Sequence, residues 1–357
     1  MAGNTFGEAF KVTTFGESHG AALGCVIDGC PAGMLLDTGF LQREVDRRRP
    51  GQGGPASTPR READSVQILS GVFEGKTTGC PIALLIANTN QHSADYDALK
   101  DKVRPGHADY TYAAKYGVRD HRGGGRSSGR ETASRVAAGA IAKMFLATQG
   151  VSVTAYTKEA AGVACQSVDF AAIEGNSMRA ADSEAAALME ERVRGYRLAG
   201  NSCGGVVECV VQGASAGLGE PVFDKLDAVL SHAVLSIGAI KAVEFGSGFD
   251  AARTDGLSNN DFMRRGEGGI PVFETNSAGG ILGGISRGDD IVFRVAVKPV
   301  PSISVPQRTV DTSGNECDIT VAGRHDACLC PRIVPVVEAM AAIVMADMIL
   351  RNRACKV

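Results

Sequence analysis

Six arginines, Arg104, Arg119, Arg122, Arg126, Arg130 and Arg135, fall within residues 104–143, against three acidic residues, Asp109, Asp120 and Glu131. Two of the chain's six histidines, His107 and His121, share this stretch, and the run Gly123-Gly124-Gly125 divides it. Guanidinium groups pair with phosphate and carboxylate through a planar fork of donors. Glycine lets backbone come close to a ligand, and imidazole changes charge near neutral pH. A third such histidine, His19, stands in the glycine-flanked turn FGESHG near the N-terminus. These residue types point to an anionic ligand handled together with proton transfer.

The element that must position them is a helix. Ser128 followed three residues later by Glu131 has the spacing of a capping box. Ala133, Val136, Ala137, Ala140, Ile141, Met144 and Phe145 then recur at helical spacing up to Gly150. That predicts a buried helix of about 20 residues, about 30 Å long, whose N-terminus lies in the glycine- and arginine-rich loop. Unpaired N–H groups and the helix dipole favour an anion there. The same residues would also serve as a solvated basic loop over an ordinary core helix. Nucleic acid is disfavoured by the rest of the chain, where 37 lysines and arginines face 40 acidic residues, tryptophan is absent and no basic tail occurs.

The 357 residues, 44% hydrophobic and 22% charged, have the make-up of an ordinary globular protein with a sizeable core. The ten cysteines show neither a C-x-x-C pair nor zinc spacing, which reads as reduced thiols in a cytoplasmic protein. Residues 1–20 lack the apolar stretch of a secretory signal. A C-terminal apolar helix is expected over 335–351, interrupted by Glu338 and Asp347 and too short to cross a bilayer. Strands are expected at 11–15, 21–27, 65–69, 81–87, 151–157, 204–212 and 291–298, with further helices at 41–49, 183–197 and 223–236. The 41–49 helix ends in Arg47, Arg48 and Arg49, favourable to its own dipole. A long glycine- and proline-rich loop follows, carrying Arg60 and Arg61. Residues 71–77, GVFEGKT, fall one residue short of a nucleotide-binding P-loop and precede a strand, and Gly123-x-Gly125 lacks the preceding strand of a dinucleotide site. Without strict strand–helix alternation, a repeat or a convincing linker, the chain reads as one α+β domain over 1–357.

FGESHG, DRRRPG, RPGHADYTY, HRGGGRSSGRETA, AGGILGGIS and GRHD occur in this order, and together they resemble chorismate synthase over nearly the whole chain. The resemblance implies an α+β sandwich with helices packed between antiparallel sheets, in a cytoplasmic homotetramer. It implies conversion of 5-enolpyruvylshikimate 3-phosphate to chorismate by 1,4-elimination of phosphate in the shikimate pathway, dependent on reduced FMN without net redox change. NADPH would enter only as a source of reducing equivalents, with a separate flavin reductase as the alternative. By the same resemblance Arg48, Arg104, Arg130 and Arg324 match arginines that hold the substrate. Arg126, Ser127, Ser128, Gly238, Ala239, Gly283, Lys298, Pro299, Val300, Pro301, Ser302 and Arg324 match flavin contacts. His19 matches the histidine beside the flavin ring, His107 the one facing the leaving phosphate, and Asp326 the carboxylate that supports proton transfer at the flavin's nitrogen 5. No metal is implied. Three departures stand out: Gly53-Gly54-Pro55 where the family carries a further basic residue, Asn201 in place of aspartate, and Gly238 in place of a bulkier residue.

The rivals to this reading are a non-catalytic protein that binds an anion or RNA, and a flavoenzyme that performs net redox with a nicotinamide partner. His19 and His107, each in a glycine-flanked loop, favour catalysis over binding alone.

Overall fold

The computed structural model describes residues 3–58, 62–88, 100–321 and 325–355. Two five-stranded antiparallel sheets form its outer layers. The N-terminal sheet runs, in spatial order, Thr5–Phe6, Lys11–Gly16, Ala22–Asp28, Ile82–Ala87 and Val66–Ile68. Alternation decides its inner face: Leu23, Cys25 and Ile27 on one strand and Ile82, Leu84 and Ile86 on the next are all buried. The C-terminal sheet runs Ile240–Phe245, Ile291–Val297, Gly205–Gln212, Ser152–Ala160 and Val163–Ala164, with Ile291, Phe293, Val295 and Val297 turned inward.

Among the described residues, seven helices accompany the sheets: α1 (Thr38–Arg48), α2 (Asp109–Tyr116), α3 (Thr132–Ala147), α4 (Ser183–Leu198), α5 (Leu226–Leu235), the single turn α6 (Gly256–Asn259) and α7 (Cys330–Asn352). Helix α3 packs on the N-terminal sheet, with α1 beside it, and α7 packs on the C-terminal sheet, with α5 beside it. The two central helices then face each other. They approach so closely that a Cβ on Gly139 would lie 2.3 Å from that of Ala339, so glycine is required at that crossing. The result is sheet, helix, helix, sheet: the α+β class that the pattern leads one to expect, arranged as the sandwich that the resemblance implies.

Helices α1 and α5 start three residues from expectation, at Thr38 and Leu226, and two other helix starts differ more. α3 has 16 residues, about 24 Å, and begins at Thr132; 3-10 turns at Gly125–Ser127 and Gly129–Glu131 precede it. The capping box does not form. Ser128 Oγ accepts the N–H of Arg130, and the Glu131 carboxylate is taken instead by Thr14 Oγ1 (3.0 Å) and Arg135 Nε (2.8 Å).

α7 begins five residues before the expected start, with Pro335 inside it, and at 23 residues it is long and apolar enough to cross a bilayer by length and composition alone. Proline has no N–H for the carbonyl four residues back. Arg179 Nη1 supplies the missing donor to Pro331 O at 2.7 Å, which lets the helix run through. Nearly all of α7 is enclosed by the protein. Its two mid-helix carboxylates have internal partners: Asp347 Oδ1 accepts the N–H groups of Glu8, Ala9 and Phe10 at 2.6–2.9 Å, and Glu338 accepts from Arg47 and Lys143. Residues 71–77 fold as the hairpin Val72–Phe73/Lys76–Thr77 around Glu74 and Gly75, both at positive φ, and make no phosphate loop.

Candidate active site

The triglycine turn is where the first and second thirds of the chain meet. Gly123, Gly124 and Gly125 all have positive φ, so the turn follows a path closed to most residues. A Cβ on Gly123 would lie 2.3 Å from His19 Cε1; one on Gly124 would lie 3.1 Å from His107 Cε1 and 3.3 Å from its Nε2. The two histidines predicted to act therefore sit against consecutive glycines, and a side chain at either position would drive a ring away.

Each ring is held from behind. His19 is buried in the turn that follows strand Lys11–Gly16, with Nδ1 3.2 Å from Ser18 Oγ. Asn88, at the end of the neighbouring strand, fixes that turn by donating to Glu17 O (3.0 Å) and Gly20 O (2.8 Å). His107 Nδ1 lies 2.9 Å from Asp109 Oδ1 at the start of α2. Asp109 also accepts from Arg104 Nε (2.7 Å) and Nη2 (2.9 Å). Burial alone would raise the Asp109 pKa, but the Arg104 and His107 bonds prevail and hold it well below the usual carboxylate range. Asp109 is thus a permanent anion behind His107, and it leaves Nε2 facing the glycine turn. Arg104, matched by resemblance to a substrate arginine, spends its guanidinium on this carboxylate.

Arg48 and Arg130 do come together. Arg48 reaches from the end of α1, wholly buried, to Asp64 Oδ2 (3.1 Å), Gly129 O (2.9 Å) and Thr132 Oγ1 (3.1 Å). Burial first, and then the neighbouring Arg332, bring its pKa down to about 10, with Asp64 opposing, so it stays charged at neutral pH. Arg130 donates Nε to Asn88 Oδ1 (3.0 Å) and Nη1 to both Glu62 and Asp64. Asp326 accepts the N–H of Thr58 (2.8 Å) on one oxygen and Arg332 Nη1 on the other. Arg324, and the loop residues Arg60 and Arg61, lie outside the described residues. Glu62, Asp64, Asn88 and Arg332 are the members that sequence reasoning missed. They carry no motif spacing, and only the fold brings them to the arginines.

Several residues matched to the flavin border the His107 turn, Lys298 and Pro301 among them. Lys298 Nζ donates to Gly106 O (2.5 Å) and its backbone N–H to Ala239 O (2.9 Å), which sets 298–302 and 238–239 side by side. Ser202 Oγ holds Val300 O at 2.7 Å, and Ser302 is buried. The N–H of Ser202 goes to Asn201 Oδ1 (2.8 Å), so the departure at 201 keeps a local acceptor. Arg126 is a clamp: it donates to Gly16 O (3.1 Å), Asn4 Oδ1 (3.1 Å) and Thr14 Oγ1 (2.7 Å), tying the glycine turn to the N-terminal sheet. Ser127 Oγ closes the turn on Gly124 O (2.7 Å). A Cβ on Gly238 would meet open space, so its lack of a side chain leaves room. Gly283 stands apart, next to the Gly284 carbonyl that accepts the N–H of Leu226 at the far end of α5, about 15 Å of helix away from Ala239. In the departure at 53–55, Gly54 packs on Ser177 so tightly that a Cβ would lie 2.2 Å from its hydroxyl.

A family model described as chorismate synthase matches residues 10–350. A chorismate synthase of Chloroflexus aurantiacus is 56% identical over 358 residues, covering 100% of this chain and 98% of that protein. One from Methanosarcina mazei is 54% identical over 357 residues, covering 99% of this chain and 97% of that protein. A solved structure titled "Crystal Structure of Chorismate Synthase" superposes with a TM-score of 0.78 at 30% identity, over 98% of this chain and 94% of the other.

Proposed function

The chain belongs to the chorismate synthase family, which makes it a lyase of aromatic biosynthesis, and from that premise we propose that it converts 5-enolpyruvylshikimate 3-phosphate to chorismate and phosphate by 1,4-anti elimination, with reduced FMN required. The observation that carries this reading is the placement of His19 and His107 on consecutive glycines at the head of the strand of residues that holds Arg48 and Arg130. The substrate bears one phosphate and two carboxylates, and charge-assisted bonds from buried guanidinium groups suit it.

In this reading Arg48 and Arg130 hold the anionic groups, with Arg324 as a third. His107 protonates the departing phosphate, because its outer nitrogen faces the glycine turn while Asp109 stabilises the charged ring from behind. Asp109 and Arg104 are positioning residues for that step. His19, on the adjacent glycine, and Asp326, fixed by Thr58 and Arg332, serve the proton-transfer end. Reduced FMN, held by residues such as Gly238, Ala239 and Lys298, would supply transient electron donation to the allylic system, with the electron returning to the flavin together with the ring proton so that no net redox change results. The residues present fit that group. Gly238 leaves open space, Ala239 turns at φ 75°, and Lys298 offers a cation beside the His107 turn.

NADPH serves only as a source of reducing equivalents, through the chain itself or a separate flavin reductase. Residues 1–357 act as one unit, assembled as a homotetramer. The exposed apolar side chains Phe249, Leu257, Phe262, Met263 and Ile270 support a further interface, and Gly283 is then placed to face a neighbouring copy. Ten free cysteines fit a cytoplasmic setting. The test is an anaerobic incubation of the protein with substrate and dithionite-reduced FMN, followed by chorismate absorbance. Product is expected only with both present. Bound substrate without product, or product without reduced flavin, would overturn the reading.

A further inference from the structure

Arg130 and Glu131 are neighbours in the 3-10 turn Gly129–Glu131 that leads into α3, and their side chains serve different parts of the molecule. Arg130 goes to Asn88, Glu62 and Asp64. Glu131, buried, accepts Thr14 Oγ1 on one oxygen (3.0 Å), and Arg126 from the glycine turn donates to the same hydroxyl (2.7 Å). The other oxygen of Glu131 accepts Arg135 Nε (2.8 Å), one helical turn further on.

Arg135 carries the connection across to another element. Its Nη1 donates to Ser236 Oγ (2.5 Å) and its Nη2 to Ser236 O (3.3 Å). Ser236 closes α5, so the guanidinium sits at a helix C-terminus, where the dipole favours a cation. Gly238 follows, and then Ala239, at φ 75°, whose carbonyl accepts the Lys298 N–H (2.9 Å). A guanidinium is flat and its donors keep fixed directions, so one that bonds at both ends fixes the separation of its partners. The Arg135 side chain is only 19% exposed, so water screens these contacts little.

We propose that Arg135 is a positioning residue: holding Glu131 and Ser236 with one guanidinium, it makes the turn 236–239 follow the start of α3. This rests on the reading that Arg130 holds the substrate and that Gly238 and Ala239 border the flavin. An anion that orders the Gly129–Glu131 turn through Arg130 then orders Glu131, and Arg135 passes that order to Ser236. Without Arg135 each ligand keeps its own contacts, but binding of one no longer prepares the place of the other. Contiguous hydrogen bonds do not by themselves make a coupling, so the test measures the coupling itself.

FMN is titrated by fluorescence into full-length wild type and Arg135→Ala, each with and without saturating 5-enolpyruvylshikimate 3-phosphate, and that substrate is titrated alone by calorimetry. Wild type should bind FMN at least about 5-fold more tightly with substrate present. Arg135→Ala should reduce that ratio to below about 2-fold, with affinity for substrate alone within about 2-fold of wild type. An unchanged ratio overturns the proposal however far the variant's Tm falls, because a merely structural role lowers stability without touching the coupling. Loss of substrate binding by the folded variant also overturns it, since Arg135 would then belong to the anion site. Should Arg135→Ala fail to fold, Ser236→Ala, which removes the hydroxyl that Nη1 meets, decides in the same way: a smaller ratio supports the proposal and an unchanged one sinks it. Wild type separates the two levels. If it binds no substrate, or binds FMN equally with and without it, the underlying reading fails and the proposal with it; if wild type shows the coupling and the variants keep it, only the role of Arg135 fails.

Discussion

Arg47 and Arg48 are consecutive residues of α1, yet they finish in two buried ion clusters of opposite character. Arg47 turns into the helical layer, where Glu44 (3.1 Å), Glu174 (2.8 Å) and Glu338 (2.6 Å) surround it. Lys143 closes that network with 2.5 Å contacts to Glu44 and Glu338, and Ala155 N–H donates to Glu338 at 3.0 Å. A cavity of about 350 Å³ borders it, lined also by Phe40, Val153 and Phe170, but every charge facing that cavity already has a partner. Arg48 turns the other way, toward Arg130, Arg332 and the glycine turn. Against the cost of burial, the carboxylates around Arg47 push its pKa up, whereas burial and Arg332 bring that of Arg48 down. A framework surrounds each cation with anions. Around Arg48 the three arginines also have carboxylate partners, but they stand close enough together that Arg332 and Arg130 still press on Arg48, a repulsion that an anionic ligand would relieve.

That contrast can be broken at either cluster. The largest expected effect lies on the site side: His107→Ala should lower kcat by about 10²–10⁴-fold with the fold kept, in steady-state assays with reduced FMN. A normal kcat would move His107 to the framework. On the framework side, Glu338→Ala leaves Arg47 and Lys143 without their shared partner and should cost about 3–5 kcal/mol of stability in denaturant unfolding. Anion affinity per folded molecule should not change, and a selective loss of binding would join the two clusters into one.

Acid should find the framework as well. Burial alone would raise the pKa of Glu338, but Lys143 and Arg47 lower it from 4.5 to about 2. Its folded-state pKa lies below the unfolded one, so the stabilisation is complete above about pH 4.5 and disappears as pH falls toward 2, a contribution of about 3 kcal/mol. Unfolding midpoints measured across that window should fall steeply for wild type and less steeply for Glu338→Gln. Smaller again is Arg130→Ala, expected to weaken substrate binding by about 1.5–3 kcal/mol. It should also lower stability somewhat, since Glu62, Asp64 and Asn88 each lose a partner. A large loss of stability with intact binding would place Arg130 with Arg47.

The triplet Arg47-Arg48-Arg49 shows where reading a sequence stops. Its position at a helix end was legible, and so was the reason basic residues are tolerated there. Which arginine serves the site depends on the turn of roughly 100° between neighbours on a helix and on what each face meets. The strands and most helices followed from periodicity, and the glycine turn flanked by histidines was visible as a place of close approach. The start of α7 was hidden because Arg179, far away in sequence, supplies the donor that Pro335 lacks. The capping box failed for a similar reason, because Thr14 and Arg135 claim Glu131. Glu62, Asp64 and Asn88 were unreadable as site members, since carboxylates and amides after a loop have no signature until a guanidinium is found between them.

Separate loops, 16–20, 104–109, 123–128, 238–239 and 298–302, meet at the glycine-turn end, and under the proposed function an anion on the arginines would order them further for reduced FMN. Fluorescence titration of FMN with and without saturating substrate tests it most directly. Coupling through shared ordering predicts FMN affinity at least about 5-fold higher when substrate is present, within the usual 1–3 kcal/mol of linked sites. Equal affinity in the two titrations would contradict it.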